Sequence, residues 1–173
     1  MATIEKTGAQ LLQWMKERGI IIERLAEPAG MTYGQLSAAL NGSLFATGAQ
    51  HRVTPQVAER LTKAVHIVAE QISRLNVEWG IGQIKDGRAG AKYNPDCVER
   101  IMALKLSLNV RPFLAWALGW SNTTYNNLLG SSSSKAYGKI TAQICTDINE
   151  ALVGLSAQMA AIEIIPDDDC SSN

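Results

Sequence analysis

LAEPAGMTYGQLSAALNG, residues 25–42, sets a glycine between two short helix-prone runs and closes on Asn-Gly. Ala26 lies four positions before Gly30, and Leu36 follows six positions after it. Each residue type has its own steric task. The alanine lets two helices cross closely, the glycine takes the tight turn between them, and the later leucine locks the second helix against the first. Thr32 is placed to cap a helix running to about Leu40, and Asn41-Gly42 supplies left-handed residues to end it. Outward from this corner the chain reads as helices. Thr7 caps a first run with Leu11, Leu12, Trp14 and Met15 at helical spacing, and Gly19 ends it. Ile21 to Ala29 forms a short second helix, with Pro28 in its last turn promoting the end. Thr54-Pro55 opens a long helix to about Leu75, with proline where its missing N–H matters least. Its apolar side is Val57, Leu61, Ala64, Val65, Val68, Ile72 and Leu75. No convincing strand alternation is found.

NVEWGIGQIKDGRAGAKYNPD changes the texture to a Gly-rich linker, after which the first half recurs. Asn94-Pro95 begins a helix carrying Val98, Ile101, Met102 and Leu104 on one face. Setting Gly30 on Gly119, 89 positions apart (119 − 30), places Leu12 on Ile101, Met15 on Leu104, Ile21 on Val110, Leu25 on Leu114, Ala26 on Ala115 and Leu40 on Leu129. Beyond the following loop the separation becomes 87 (140 − 53) and aligns VTPQVAERLTKAV with ITAQICTDINEAL. A spacing that changes only inside a loop is what a duplicated fold shows, since loops absorb deletions that helices cannot. The second long helix is expected from Thr141 to about Ile164. The expected division is a first unit over 1–78, a linker over 79–93, a second unit over 94–165 and a disordered acidic tail over 166–173, which could compete with DNA for basic residues.

LAEPAGMTYGQLSAALNG and LAWALGWSNTTYNNLLG resemble the helix-turn-helix of the lambda-repressor/Cro-like DNA-binding family, over about residues 8–66 and 97–153. The first copy follows the pattern closely, down to the closing Asn-Gly. In both copies the loop after the third helix is longer than the family's usual connection. The resemblance implies an all-α fold of tandem lambda-repressor-like four-helix units. It also implies that the third helix of each unit lies in the major groove of double-stranded DNA, with its early residues toward base edges and its flanks toward phosphate.

For the first copy that role expects Ala29, Met31, Leu36 and Ala39 inside. Gln35 is placed to pair with adenine, Tyr33 and Ser37 to bond phosphate, Thr32 to lie nearby, and Arg52 and His51 to sit in the following loop. From Ile20 to Val53 two arginines are offset by Glu23 and Glu27, so this surface brings no net attraction to a polyanion. The second copy offers Ser121, Asn122, Thr123, Thr124, Asn126 and Asn127, and Arg111 opens its second helix, where the family often contacts phosphate. From Asn109 to Ile140 the charge is +3, from Arg111, Lys135 and Lys139. With Lys85, Arg88 and Lys92 these form a basic stripe. The competing reading of the same helix is a merely solvated polar face.

Composition excludes other classes. The 173 residues are 46% hydrophobic, enough for a core, and 16 basic residues balance 16 acidic ones, so any pull on nucleic acid must be local. No apolar run approaches the ~18 residues of a membrane span, and the start has no leader pattern, so no membrane role and a cytoplasmic location are expected. Cys97, Cys145 and Cys170 are far apart in sequence and odd in number, which reads as buried or idle thiols. GIGQIKDGRAGAK lacks the Lys-Ser/Thr ending of a phosphate loop, and His51 and His66 have no partner at ligand spacing. No catalytic residue, metal, cofactor or small-molecule substrate is indicated. The four tryptophans fall mostly where core packing explains them, with Trp79 a candidate anchor between halves. The long helices serve either a homodimer or a pseudo-dimer within one chain, in which two third helices need to lie about one DNA turn (~34 Å) apart. The leading expectation is a transcriptional regulator, and the alternative is a helical protein-interaction module that has lost DNA binding.

Overall fold

A computed structural model describes residues 2–42, 52–80, 85–86, 92–130 and 138–167, with 85, 86, 92 and 93 described by their backbone. The chain is mostly helical, as the periodicity requires. In order it forms β1 (Ile4–Lys6), α1 (Gly8–Glu17), a 3-10 turn (Ile22–Leu25), α2 (Tyr33–Asn41), α3 (Pro55–Ser73), β2 (Lys85–Asp86) and β3 (Lys92–Tyr93). There follow α4 (Pro95–Ala103), a second 3-10 turn (Leu104–Leu106), α5 (Val110–Leu118), α6 (Asn122–Tyr125) continued as a π turn (Asn126–Gly130), α7 (Ala142–Ala160) and β4 (Ile162–Ile164). Two compact units divide it. The first holds residues 1–16, 21–73 and 155–173, and the second holds 17–20 and 74–154. The division therefore interleaves the chain instead of cutting it near residue 78, because α7 contributes its last residues and β4 to the first unit.

The spacing of 87 recurs in the two long helices. Both α3 and α7 have 19 residues, and the ends of one are the ends of the other displaced by 87. Thr54 and Thr141 cap them alike, their Oγ1 atoms accepting from the N–H of Val57 at 3.3 Å and of Ile144 at 3.2 Å. Ala58, Leu61, Val65, Val68 and Ile72 are buried on α3, and their counterparts Cys145, Ile148, Leu152, Leu155 and Met159 are buried on α7. Leu25 and Leu114, Leu40 and Leu129, and Val53 and Ile140 are likewise buried pairs. The alignment is looser in the first helices. Met15 and Leu104 are both buried, yet Leu12 is half-buried and its neighbour Leu11 takes the core position beside Trp14.

Several expectations change. The 21–29 stretch is a 3-10 turn followed by hydrogen-bonded turns, because Pro28 has no N–H to give and Gly30 turns to φ 61°. The long helix expected to reach Ile164 stops at Ala160, and Ile162–Ile164 pairs in parallel with Ile4–Lys6. That pair buries Ile162 and Ile164, and Thr62 Oγ1 on α3 accepts from the Ile164 N–H at 2.9 Å. Three-residue strands are too short for alternation to stand out, although Ile-Glu occurs in both. Asp167, assigned to the tail, is held: its Oδ2 accepts from the Val53 N–H at 2.7 Å and its N–H donates to Val53 O at 2.9 Å. Residues 168–173 of the expected tail lie outside the described residues. Met31 is half-buried and Ala115 exposed, so the close-crossing task of the alanine is not performed in the second copy.

Gly19 does more than end α1. At φ 69° it places its carbonyl on the N–H of Asn109 at 2.6 Å, and a Cβ there would lie 2.4 Å from Asn109 O and 2.6 Å from Phe113 N. Only glycine fits this approach to the start of α5. The thiols of Cys97 and Cys145 are buried and free. Burial, with Cys97 beside it, pushes the Cys145 thiol up to about 11, against a smaller lowering by Arg100.

Candidate nucleic-acid interface

Each copy turns its corner with a left-handed glycine, φ 61° at Gly30 and φ 66° at Gly119, followed two residues later by a hydroxyl cap. A Cβ on Gly119 would meet nothing within 4 Å, so the requirement there is for backbone angle and not for space. In the first unit Thr32 and Gln35 form a reciprocal capping box. Thr32 Oγ1 accepts from the Gln35 N–H at 3.2 Å, and Gln35 Oε1 accepts from the Thr32 N–H at 2.9 Å. Both side chains are exposed, but the box occupies the Gln35 carbonyl. Two-point pairing of this amide with adenine therefore requires the box to open. Tyr33 is 52% exposed, and half-buried Ser37 accepts from Asn41 Nδ2 at 3.0 Å. Arg52 is exposed, while His51 lies outside the described residues.

In the second unit Ser121 Oγ accepts from the Thr124 N–H at 3.1 Å and lies 3.0 Å from Thr124 Oγ1. Asn122 and Thr123 are exposed, and their side chains make no hydrogen bond to any described residue. Arg111 and Asn126 come together: the guanidinium donates to Asn126 Oδ1 at 3.3 Å and lies 4.7 Å above the Tyr125 ring. Tyr125 in turn donates its hydroxyl to Met102 Sδ at 3.5 Å. The arginine is thus braced against α6 by stacking and one hydrogen bond. Leu129 is buried behind this surface. Lys139 is exposed, Lys135 and Arg88 lie outside the described residues, and Lys85 and Lys92 are known by the backbone pairing of β2 with β3.

Sequence reasoning missed the residues that differ most between the corners. In the first unit Arg60 on α3 donates from Nε to Ala29 O at 2.7 Å and from Nη2 to Gly30 O at 2.5 Å. In the second unit the corresponding residue, 87 positions on, is Asp147. Asp147 and Glu150 line a cleft with Trp116 and Trp120, and Trp120 immediately precedes Ser121. The segment count of +3 omits these carboxylates, since they come from α7. The fold sets two acids beside Trp116 and Trp120, within a stretch whose described cations between 109 and 140 are Arg111 and Lys139. The alignment itself carried the signal, for it pairs Arg60 with Asp147 and Lys63 with Glu150. Trp116 and Trp120 are half-buried, so neither is the core tryptophan expected, and Trp79 is 41% exposed.

Among the described residues, no group of three or more His, Cys, Asp or Glu is placed to hold a metal ion, and no helix is long and apolar enough to cross a membrane. His66 bonds through Nε2 to Ile162 O at 2.9 Å. No protein-family model, curated protein sequence or solved structure matches this chain.

Proposed function

We propose that the chain binds double-stranded DNA as a cytoplasmic transcriptional regulator, with α2 and α6 as the groove-facing helices of two lambda-repressor/Cro-like helix-turn-helix units. Regulation would come from occupancy of a site, with no chemical step. The observation that carries this reading is the doubled corner. A left-handed glycine, a hydroxyl cap two residues later and a helix with polar side chains toward solvent occur in both copies. Asn122 and Thr123 are the side chains best disposed for base edges, and Arg111, held over Tyr125, for a phosphate.

A second reading has its own support. Asp147 and Glu150, which line a cleft with Trp116 and Trp120 at the end of α5, oppose an approaching phosphate backbone and favour a protein partner at this corner. Anisotropy of a labelled random-sequence duplex, titrated across salt, separates the two. DNA binding predicts log K falling linearly with log salt, and Arg111→Ala reducing the slope by about 0.9. Asn122→Ala is expected to weaken binding to a selected site by about tenfold. Absence of duplex binding at low salt, or unchanged binding in both variants, favours the interaction module. Stoichiometry at saturation distinguishes a homodimer on DNA from one chain that supplies both helices.

A further inference from the structure

The two copies differ at one corner in a way that specifies a ligand. In the first, the Arg60 guanidinium lies against the turn and satisfies the carbonyls of Ala29 and Gly30. In the second, the corresponding carbonyls, Leu118 O and Gly119 O, receive no hydrogen bond from a described residue, and the position of Arg60 holds Asp147. A basic side chain that fills the first corner is replaced by an acidic one, and the second corner contains a cleft of about 650 Å³.

The lining of the cleft carries the chemistry. Trp116, Leu118, Trp120 and Ile144 supply apolar and aromatic surface, and Asp147 and Glu150 supply negative charge. No lining residue is basic. The Asp147 carboxylate accepts from Gln143 Nε2 at 2.6 Å through Oδ1, which leaves Oδ2 available. Glu150 has no hydrogen-bond or ion-pair partner among the described residues, whereas its counterpart Lys63 pairs with Glu59 at 2.7 Å. At these two positions the charge goes from +2 in the first copy to −2 in the second. Neither a ring nor a cation stacks on Trp120 among the described residues. Trp116 already receives a guanidinium on its ring, that of Arg18 at 5.5 Å, so the indole surface accepts this group within the same unit.

We propose that this cleft binds an alkylguanidinium from solution, its planar cation stacked on Trp120, hydrogen-bonded to Asp147 and charge-paired with Glu150, in the role Arg60 fills in the other copy. A guanidinium fits better than an ammonium because its flat face stacks on indole and its fork of N–H groups can bond a carboxylate and a carbonyl together. The group is supplied either by a free small molecule or by an arginine of a peptide. This assignment does not depend on DNA binding.

The test is a titration of the full chain by tryptophan fluorescence, confirmed by calorimetry. The probes are butylguanidine, a capped Gly-Arg-Gly peptide, butylamine and butylurea. A saturable signal with butylguanidine or the peptide, at least about tenfold stronger than with butylamine and absent with neutral butylurea, supports the assignment, and the ratio of the first two identifies the source. Asp147→Asn and Glu150→Gln are expected to weaken binding about tenfold or more while leaving the thermal melt unchanged. Asp147→Arg restores the arrangement of the first copy, so it is expected to stay folded and abolish binding. No saturable signal up to about 10 mM, equal binding of butylurea, or undiminished binding in Asp147→Asn or Asp147→Arg would overturn it.

Discussion

The corner at Gly30 is closed by its own chain, and the corner at Gly119 is left open. Arg60 reaches from α3 to the turn of the first copy, whereas Asp147 on α7 lines a cleft with two indoles and the carbonyls of the second turn receive no hydrogen bond from a described residue. The backbone angles of the two glycines are nearly the same, 61° and 66°, so the corner is conserved within the molecule while its chemistry is inverted. A repeat copies what the backbone needs and leaves the side chains beside it free to diverge. Beyond the open corner, Leu129 is buried and Arg111 stacks on Tyr125.

Gly19→Ala is expected to have the largest effect, because its Cβ would sit 2.4 Å from a backbone oxygen at a left-handed residue. Strain and overpacking together are expected to cost about 3 kcal/mol or more in chemical denaturation, seen first in probes of the second unit. Next comes the residue that locks each corner. Leu36→Ala removes a fully buried side chain and is expected to cost about 2–5 kcal/mol. Tyr125→Ala, its counterpart 89 positions on, removes a half-buried ring and is expected to cost less, about 1–2 kcal/mol. Equal costs at the two positions would mean that the corners are held alike. Arg60→Ala is expected to cost about 1–2 kcal/mol by orphaning two carbonyls, and Asp147→Ala to stay within about 0.5 kcal/mol. A large loss from the second replacement would show that the acid braces its corner after all.

The smallest effect concerns pH. The Cys145 thiol is pushed up to about 11 by burial and by Cys97. An acid whose folded pKa is raised ionises more readily when unfolded, so its contribution is intact below the ordinary thiol value near 9 and is lost as pH rises from there toward 11. Stability of the second unit is expected to decline across that window, and Cys145→Ser, which cannot ionise there, to flatten the decline. Alkylation of native protein at pH 8 is expected to spare Cys145, as its thiolate is scarce and buried.

Much of the fold was legible because helices announce themselves locally. Thr7 and Thr32 were identifiable as caps from their position before apolar periods, and each accepts the expected N–H three residues on; Thr54, Ser121 and Thr141 make the same bond at the other helix starts. The strands were not legible, since Ile4–Lys6 and Ile162–Ile164 are defined by a pairing across almost the whole chain. The polar face of α6 was also readable, because Ser121, Asn122, Thr123 and Asn126 fall on the outward side of the helix that Leu129 anchors. The carboxylates that α7 brings to Trp116 and Trp120 were not counted, because charge summed over a segment misses charge delivered by another helix.

The sequence alone determined the starts of the main helices and the internal spacing with its shift from 89 to 87, for these follow from residue types at short or constant spacing. Tertiary structure decided that Gly19 presses on the start of α5, that Asp167 ties down beside Val53, and that one corner is filled by Arg60 while the other opens between Trp120 and Asp147. Each of those outcomes depends on atoms brought within contact from distant parts of the chain, and no local pattern of residues encodes such a distance.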